Sequence, residues 1–421
     1  MTAPLRRLAS SEHGFVGPFP TTCAFELTLR GELDLAALSD ALTAVRTRHP
    51  ALDSAVTEYG EGYAFLAPLH QTGAALTVDW VDELPERPAP VPVDPTVALG
   101  RLHVVTAGDR HRVTLAINHA LGDGTHLRAI LTELWSQYTS LVRTASAEHI
   151  GPPQDFPVAA QHVLRDLHVT RDTGRERLDG ILWYGSAPTL PTGAGPVLPD
   201  VTSLWFSEEV TAGFAAAAAG IGVNALLSGV LMCAERAGFL DEEPDEAIRI
   251  GAMTLVDLRR RVRPVQGATS VTNFVGASFA APQLTCTSDP VAVGAAIVDA
   301  VRDDLAAGRC LNVMATPAPD GPSEPPVVLS NLGRISVDLP DTLIAEHLRP
   351  IICMDSTGLH LPVGARQASP SATIYQASTF CGRLGIEAIT LGGTASAASR
   401  NLIADRIFTL VDATARLARA A

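Results

Sequence analysis

Apolar and polar residues alternate through Cys23, Phe25, Leu27 and Leu29, the period of a half-buried strand, and Gly31 turns the chain out of it. The period then lengthens. Leu35, Leu38, Leu42 and Val45 share one helical face behind an Asp34 cap, Arg46 and Arg48 suit the C-terminal end of the dipole, and Pro50 stops the helix. Short strands are predicted over Tyr63–Leu66 and Leu76–Val81, with an irregular loop over Asp82–Pro95. A hairpin over Arg101–Thr106 and Arg112–Ile117 turns at Gly108-Asp109. Its second strand enters the most informative stretch, Arg112–Leu127. There Gly122 and Gly124 break the strand pattern. Leu127, Ile130, Leu131, Leu134, Tyr138 and Leu141 resume it as one face of an amphipathic helix.

Val158–Leu167 reads as a helix. Ala187–Asp200 then carries four prolines and two glycines, which marks residues 187–200 as a crossover between a lobe of residues 1–186 and one of 201–421. In the second lobe a strand near Ser203–Phe206 precedes a helix capped by Ser207. Asn224 is the expected cap of a further helix, Ala225–Ala237, closed by Gly238. Ile248–Val256 reads as a buried strand, Asp289-Pro290 starts a helix that Gly308 ends, and Val327–Leu329 is a strand ending in Ser330-Asn331-Leu332-Gly333. Ala315–Pro326 before it is a proline-rich loop. Ile374–Phe380 and Arg383–Ile389 pair through Cys381-Gly382, and a closing helix carries Leu402, Phe408, Val411 and Leu417. Strands and helices alternate in both halves, an α/β (α+β) pattern of two related lobes.

Composition narrows the chemistry. The 421 residues suit two domains, and 47% hydrophobic content supplies their cores. All 31 basic residues are arginine, so a P-loop lysine, a Schiff-base lysine and a lysine general base are excluded. A net charge of −14, without a long basic run, argues against nucleic acid and anionic membranes as partners. The six cysteines show no CxxC spacing and are expected as free thiols in a reducing cytoplasm. The apolar region Val210–Ala234 is broken by Gly220, Gly222 and Asn224, which predicts two soluble helices and no membrane span; the start of the chain has no apolar signal core.

Asn118, His119, Asp123 and His126 gather where the central strand ends and the helix begins, a usual place for a site. A histidine there titrates near neutral pH and can take a proton from an alcohol or amine. His119-Ala-Leu-Gly-Asp123-Gly124 resembles the HxxxDG motif of the chloramphenicol acetyltransferase superfamily, which includes nonribosomal peptide condensation domains and polyketide-associated acyltransferases. Further segments resemble the family in the expected order: the opening Leu5–Phe15, His49-Pro50 with Leu52 (HPxL), Val256-Asp257-Leu258-Arg259, Thr272-Asn273 with Gly276, and Ser330-Asn331 with Gly333. The likeness spans nearly the whole chain and is greatest to the polyketide-associated acyltransferases of the phthiocerol dimycocerosyl transferase type.

The resemblance implies two lobes with mixed β-sheets and an active-site tunnel between them. It implies acyl transfer from a thioester, on coenzyme A or a carrier protein, to a hydroxyl or amine of a specialised metabolite, without metal or redox cofactor. His119 would be the general base. Asp123 would be a brace paired with Arg259, Gly124 would allow close packing and offer its amide to the reacting oxygen, and Asn331 would donate to the oxyanion. Arg260, Arg261 and Arg263 would meet the donor's phosphates or an acidic carrier protein. His49 would be structural. Asn118 stands where many condensation domains carry a second histidine; on a strand it points opposite to His119 and is expected to support the fold. A cytoplasmic monomer is expected.

Two other readings remain open at this point. His119, Asp123 and His126 stand at i, i+4 and i+7, a spacing that would align metal ligands on a helix, although Gly122 and Gly124 oppose a continuous helix there. A non-acylating relative, either a carrier-protein binding module or a cyclisation catalyst, would keep the same motifs.

Overall fold

Two six-stranded sheets, each with helices on one face, carry the chain. This computed structural model describes residues 4–16, 20–60, 62–67, 76–86, 91–146, 151–165, 167, 172, 174–181, 196–197, 200–239, 243, 245–311, 327–355, 373–390 and 397–420. In chain order the first elements are β1 (Pro4–Arg7), α1 (Ser10–His13), β2 (Thr21–Gly31), α2 (Leu35–Arg48), β3 (Ala55–Tyr59), β4 (Gly62–Leu66) and β5 (Leu76–Trp80). They continue as β6 (Gly100–Ala107), β7 (Arg110–Asn118), α3 (Gly124–Thr144), α4 (Ala160–Leu164), β8 (Pro196–Val197) and β9 (Asp200–Trp205). Next come α5 (Glu208–Ala217), α6 (Val223–Glu235), β10 (Ile248–Arg249), β11 (Ala252–Asp257), β12 (Val275–Ala280), β13 (Gln283–Leu284) and α7 (Pro290–Ala306). The last are β14 (Val327–Ile335), β15 (Leu343–Asp355), β16 (Thr373–Phe380), β17 (Arg383–Thr390) and α8 (Ala397–Ala420).

The first sheet runs β5-β6-β7-β2-β15-β8 and the second β12-β11-β14-β16-β17-β9. Both are mixed: β5–β6, β11–β14 and β14–β16 are parallel, and the other pairs antiparallel. Phe25, Leu27 and Leu29 of β2 and Val113, Leu115 and Ile117 of β7 bury one face of the first sheet beneath α2 and α3. The helices meet it with Leu38, Leu42 and Val45, and with Leu127, Ile130, Leu131, Leu134 and Tyr138, while Leu141 is only partly covered. Asp34 caps α2 by accepting from the amides of Ala36 and Ala37, and its own amide donates to the Tyr138 hydroxyl at 3.0 Å. In the second lobe Phe214, Leu226, Val230, Ile407 and Val411 pack onto Leu329, Tyr375 and Ile386.

The division of the chain at 187–200 does not divide the sheets. β15 pairs antiparallel with β2 from Leu343 opposite Gly31 to Met354 opposite Thr21, inside the first sheet. Of the crossover itself, 196–197 form the edge strand β8 beside β15; the rest, apart from residue 200, lies outside the described residues, as does the loop Ala315–Pro326. Several predicted elements shift. The helix expected from Ala225 starts at Val223, capped by Gly222 at φ 88°, a left-handed turn that glycine adopts without strain. Asn224 lies inside the first turn. Val327–Leu329 continues to Ile335 through a bulge at Asn331/Gly333, and Ile248–Val256 divides into β10 and β11. Of Val158–Leu167, the described residues are helical over Ala160–Leu164. On α8 the buried row is Ile403, Ile407, Val411 and Ala415; Leu402, Phe408 and Leu417 are exposed. Among the described residues no helix is long and apolar enough to cross a membrane, and all six cysteines are free.

α6 and α7 pack backbone to backbone: a Cβ on Gly229 would fall inside the carbonyl oxygen of Pro290, and one on Gly294 inside that of Ala225. Because backbone meets backbone, neither side can yield by a rotamer change. Gly229→Ala is expected to destabilise the protein by about 1–3 kcal/mol, read as a lower urea midpoint with unchanged slope. An unchanged midpoint would mean the helices separate freely.

Candidate active site

β7 delivers its last residues to the seam between the lobes. The His119 amide donates to Thr21 O at 2.8 Å, extending the pairing with β2 by one bond. Asn118 points the other way: its amide nitrogen donates to Phe15 O at 3.2 Å and its oxygen accepts from the Ala120 amide at 3.0 Å. His119 itself is half-buried and stacks on Phe15, with ring centroids 4.2 Å apart and planes at 24°. Its Nδ1 lies 2.9 Å from the Gly122 carbonyl. A carbonyl only accepts, so Nδ1 carries the proton and Nε2 presents the lone pair. Burial lowers the His119 pKa below the ordinary histidine value, against the opposing pull of the Gly122 carbonyl and Asp123. The ring is therefore neutral at pH 7, the state a general base needs.

Asp123 holds the lobes together. It caps α3, accepting at Oδ1 from the amides of Thr125 (3.0 Å) and His126 (3.1 Å). At Oδ2 it accepts from Arg259 Nη1 and from the Phe274 amide, both at 2.8 Å. Burial alone would push this carboxyl up, but the guanidinium and these amides hold it below the usual carboxylate range. Arg259 also reaches Ala268 O, Val271 O, Thr272 O and Asp257 Oδ1. Both side chains are 2% exposed, so neither is free to touch a substrate.

Gly122 is closely packed, and Gly124 meets only the end of a flexible side chain. A Cβ at Gly122 would lie 2.6 Å from the His126 ring, and one at Gly124 would lie 2.8 Å from Leu332 Cδ2. His126 faces the Val271 carbonyl of the second lobe and lines a small cavity with His49, Leu52, Leu121, Gln154 and Thr269. His49 is bound to Glu133 at 2.8 Å. Asp123 Oδ2 is taken up by Arg259 and the Phe274 amide, so it is not free to join His119 and His126 as a metal ligand. Among the described residues no three histidine, cysteine or acidic side chains are placed to hold a metal ion.

His126, 2% exposed, has its pKa pushed down to about 4, chiefly by burial. The unfolded chain protonates near 6.5, so it binds more protons than the fold between those values. Stability is complete above pH 6.5 and falls as pH drops toward 4, by on the order of 1.4 kcal/mol per unit. His126→Gln is expected to flatten this slope in urea titrations at pH 7 and 5. An equal slope in both proteins would remove His126 as its source.

The other expected site residues are not brought to His119. Asn331 donates to Asn224 Oδ1 at 3.2 Å and accepts from the Gly333 amide at 2.8 Å. The register of β14 shifts at Asn331/Gly333, and the neighbouring Leu332 lies against Gly124. Arg260, Arg261 and Arg263 are exposed on the turn after Arg259, with Arg263 donating to Arg260 O and Val262 O. Two contributors carried no chemical signal in the sequence. Glu12, fully buried, binds Arg6 through both oxygens at 2.7 Å and accepts from Thr272 Oγ1 at 2.7 Å, fixing the segment that ends in Phe15. Asn273, beside Thr272, places its amide 3.5 Å from His119 Nδ1. Both lie within family-like segments, yet nothing in their spacing announces these contacts.

Comparison with known proteins fits this geometry. Residues 195–389 match the family described as the phthiocerol/phthiodiolone dimycocerosyl transferase C-terminus. A phthiocerol/phthiodiolone dimycocerosyl transferase of Mycobacterium tuberculosis is 29% identical over 322 residues, covering 72% of this chain and 74% of its own. Among solved structures, polyketide synthase associated protein 5 from Mycobacterium tuberculosis superposes with a TM-score of 0.77 at 24% identity, over 98% of this chain and 100% of that one. The first condensation domain of the calcium-dependent antibiotic synthetase gives a TM-score of 0.67 at 17% identity, over 98% and 97%. The chain is thus similar to the polyketide-associated acyltransferases of the phthiocerol dimycocerosyl transferase type, and its two lobes have the fold of the chloramphenicol acetyltransferase and condensation-domain superfamily.

Proposed function

We propose that this protein transfers an acyl group from a thioester to a hydroxyl or amine of a specialised metabolite, with His119 as general base. The observation that carries the reading is the His119 ring. It is neutral, stacked on Phe15 and tied at Nδ1 to the Gly122 carbonyl, so Nε2 is the basic nitrogen. Nε2 takes the proton of the acceptor as its oxygen or nitrogen attacks the thioester carbonyl. The tetrahedral intermediate collapses with loss of the thiolate, and the imidazolium returns the proton to sulfur. The thioester is the activated substrate, so the step as written needs no metal or redox cofactor.

Asp123 takes up the Thr125 and His126 amides, which leaves the Gly124 amide, among the described residues, as the first-turn donor of α3 for the reacting oxygen. Asn331, bonded to Asn224 and to the Gly333 amide, is given no role in this step. The donor arrives on coenzyme A or a cytoplasmic acyl carrier protein, and the exposed Arg260, Arg261 and Arg263 are the proposed contact for its phosphates. A carrier-binding module would have the same fold but no use for a basic Nε2 held in this way.

The test is intact-mass spectrometry of the protein with acyl-coenzyme A and acyl-carrier donors and a panel of alcohols and amines. Acceptors heavier by one acyl group, with free donor thiol, are expected. Donors left intact across the panel would contradict the reading.

A further inference from the structure

We infer that Asn273 is a positioning residue for His119: its side-chain oxygen is the second acceptor for the Nδ1 proton and helps decide which ring nitrogen is the base. This inference rests on the reading of His119 as base. The first observation is where the loop holds Asn273. Thr272 on one side donates to Glu12 and accepts from Arg259 Nη2 at 3.2 Å. Phe274 on the other gives its amide to Asp123 at 2.8 Å and is fully buried. The backbone is thus pinned on both sides by the ionic groups that join the lobes, and Asn273, 8% exposed, has little freedom to turn elsewhere.

The second observation is a mismatch of donors and acceptors. The amide nitrogen of Asn273 faces His119 Nδ1 at 3.5 Å, while its oxygen is buried without a partner among the described residues. Nδ1 already carries a proton, because it lies 2.9 Å from the Gly122 carbonyl. An NH2 group facing an N–H is repulsive, and a buried oxygen without a donor is costly. Half a turn about the last side-chain bond turns the oxygen to the Nδ1 proton and moves the NH2 group to the position the oxygen held, with no change in shape, since amide oxygen and nitrogen are nearly equal in size. The Nδ1 proton is then shared between Gly122 O and Asn273 Oδ1. Phe15 covers one face of the ring, so its plane, its tautomer and the direction of Nε2 are all set. When Nε2 takes the acceptor's proton, the same two oxygens face the new positive charge.

The test pairs Asn273→Leu, which keeps the size and removes the acceptor, with Asn273→Asp, which keeps the acceptor and adds charge. The ring nitrogens of His119 are followed by 15N NMR through a pH titration without substrate, assigned with His119→Ala. Wild type is expected to show protonated Nδ1 and bare Nε2. Asn273→Asp is expected to raise the His119 pKa by about 1 unit or more. Asn273→Leu is expected to lower kcat roughly 10-fold at unchanged KM, a fraction of the gain a positioned base supplies; Asn273→Asp is expected to restore kcat and to move the acidic limb of the pH profile upward. A ring that titrates identically in all three folded proteins overturns the inference. The NMR arm needs no turnover, so failure of the wild type to transfer acyl groups would remove the proposed reaction and leave this result standing.

Discussion

Arg259→Ala is expected to cost about 3–5 kcal/mol of stability, the usual loss when one partner of a buried ion pair is removed. That is a large share of the 5–15 kcal/mol that holds a typical domain together. The reason is local. Asp123 and Arg259 are each 2% exposed and come from different lobes, joined at 2.8 Å. Without the guanidinium, Asp123 keeps its three amide donors but is left as an uncompensated buried charge. The carbonyls of Ala268, Val271 and Thr272 lose their donor together. The loop carrying Asn273 and the start of α3 should loosen, so activity falls with stability. Acid should act on the same bond. The Asp123 carboxyl is held below its unfolded value, so its contribution is complete above about pH 4 and is lost as pH falls through the folded value. Urea denaturation at pH 7 checks the main claim; a loss under about 1 kcal/mol would show that the pair does not hold the lobes.

His119→Ala is expected to lower kcat by about 10²–10⁴-fold, equivalent to roughly 3–5 kcal/mol of barrier. The fold should survive. The His119 backbone bond to Thr21 does not need the ring, and the side chain is only half-buried. In wild type, kcat/KM should rise through a pKa below the ordinary histidine value, because burial disfavours the imidazolium in the free enzyme. An acidic limb above pH 6.5, or a variant that keeps most of its activity, would point to another base.

What the sequence made legible was local. The stripe from Leu127 to Tyr138 and the caps Asp34, Ser207 and Asp289 each depend on residues a few positions apart, and the structure has them as expected. The pairing of β15 with β2 joins residues some three hundred positions apart and leaves no local trace, so the cut at 187–200 puts β15 in the wrong sheet. On α8 apolar residues lie on both sides, and only packing selects Ile403 and Ile407 over Leu402 and Phe408. Asn224 looks like a cap, but a positive φ decides the start of α6 in favour of Gly222.

The candidate site divides the same way. Its motif could be read because the HxxxDG residues are contiguous. The environment of His119 depends on Phe15, Gly122 and Asn273, which only the fold brings together. Asn331 shows the reverse: its segment resembles the family, yet its side chain bonds Asn224, beside a shift in the register of β14.

The central claim is acyl transfer with His119 as base. Its most direct test is one intact-mass assay run side by side on wild type and His119→Ala, both shown to be folded, with the same thioester donors and acceptors. The account predicts acylated acceptor and free thiol with wild type, and at least about 100-fold less with the variant. Equal transfer by both proteins would contradict it.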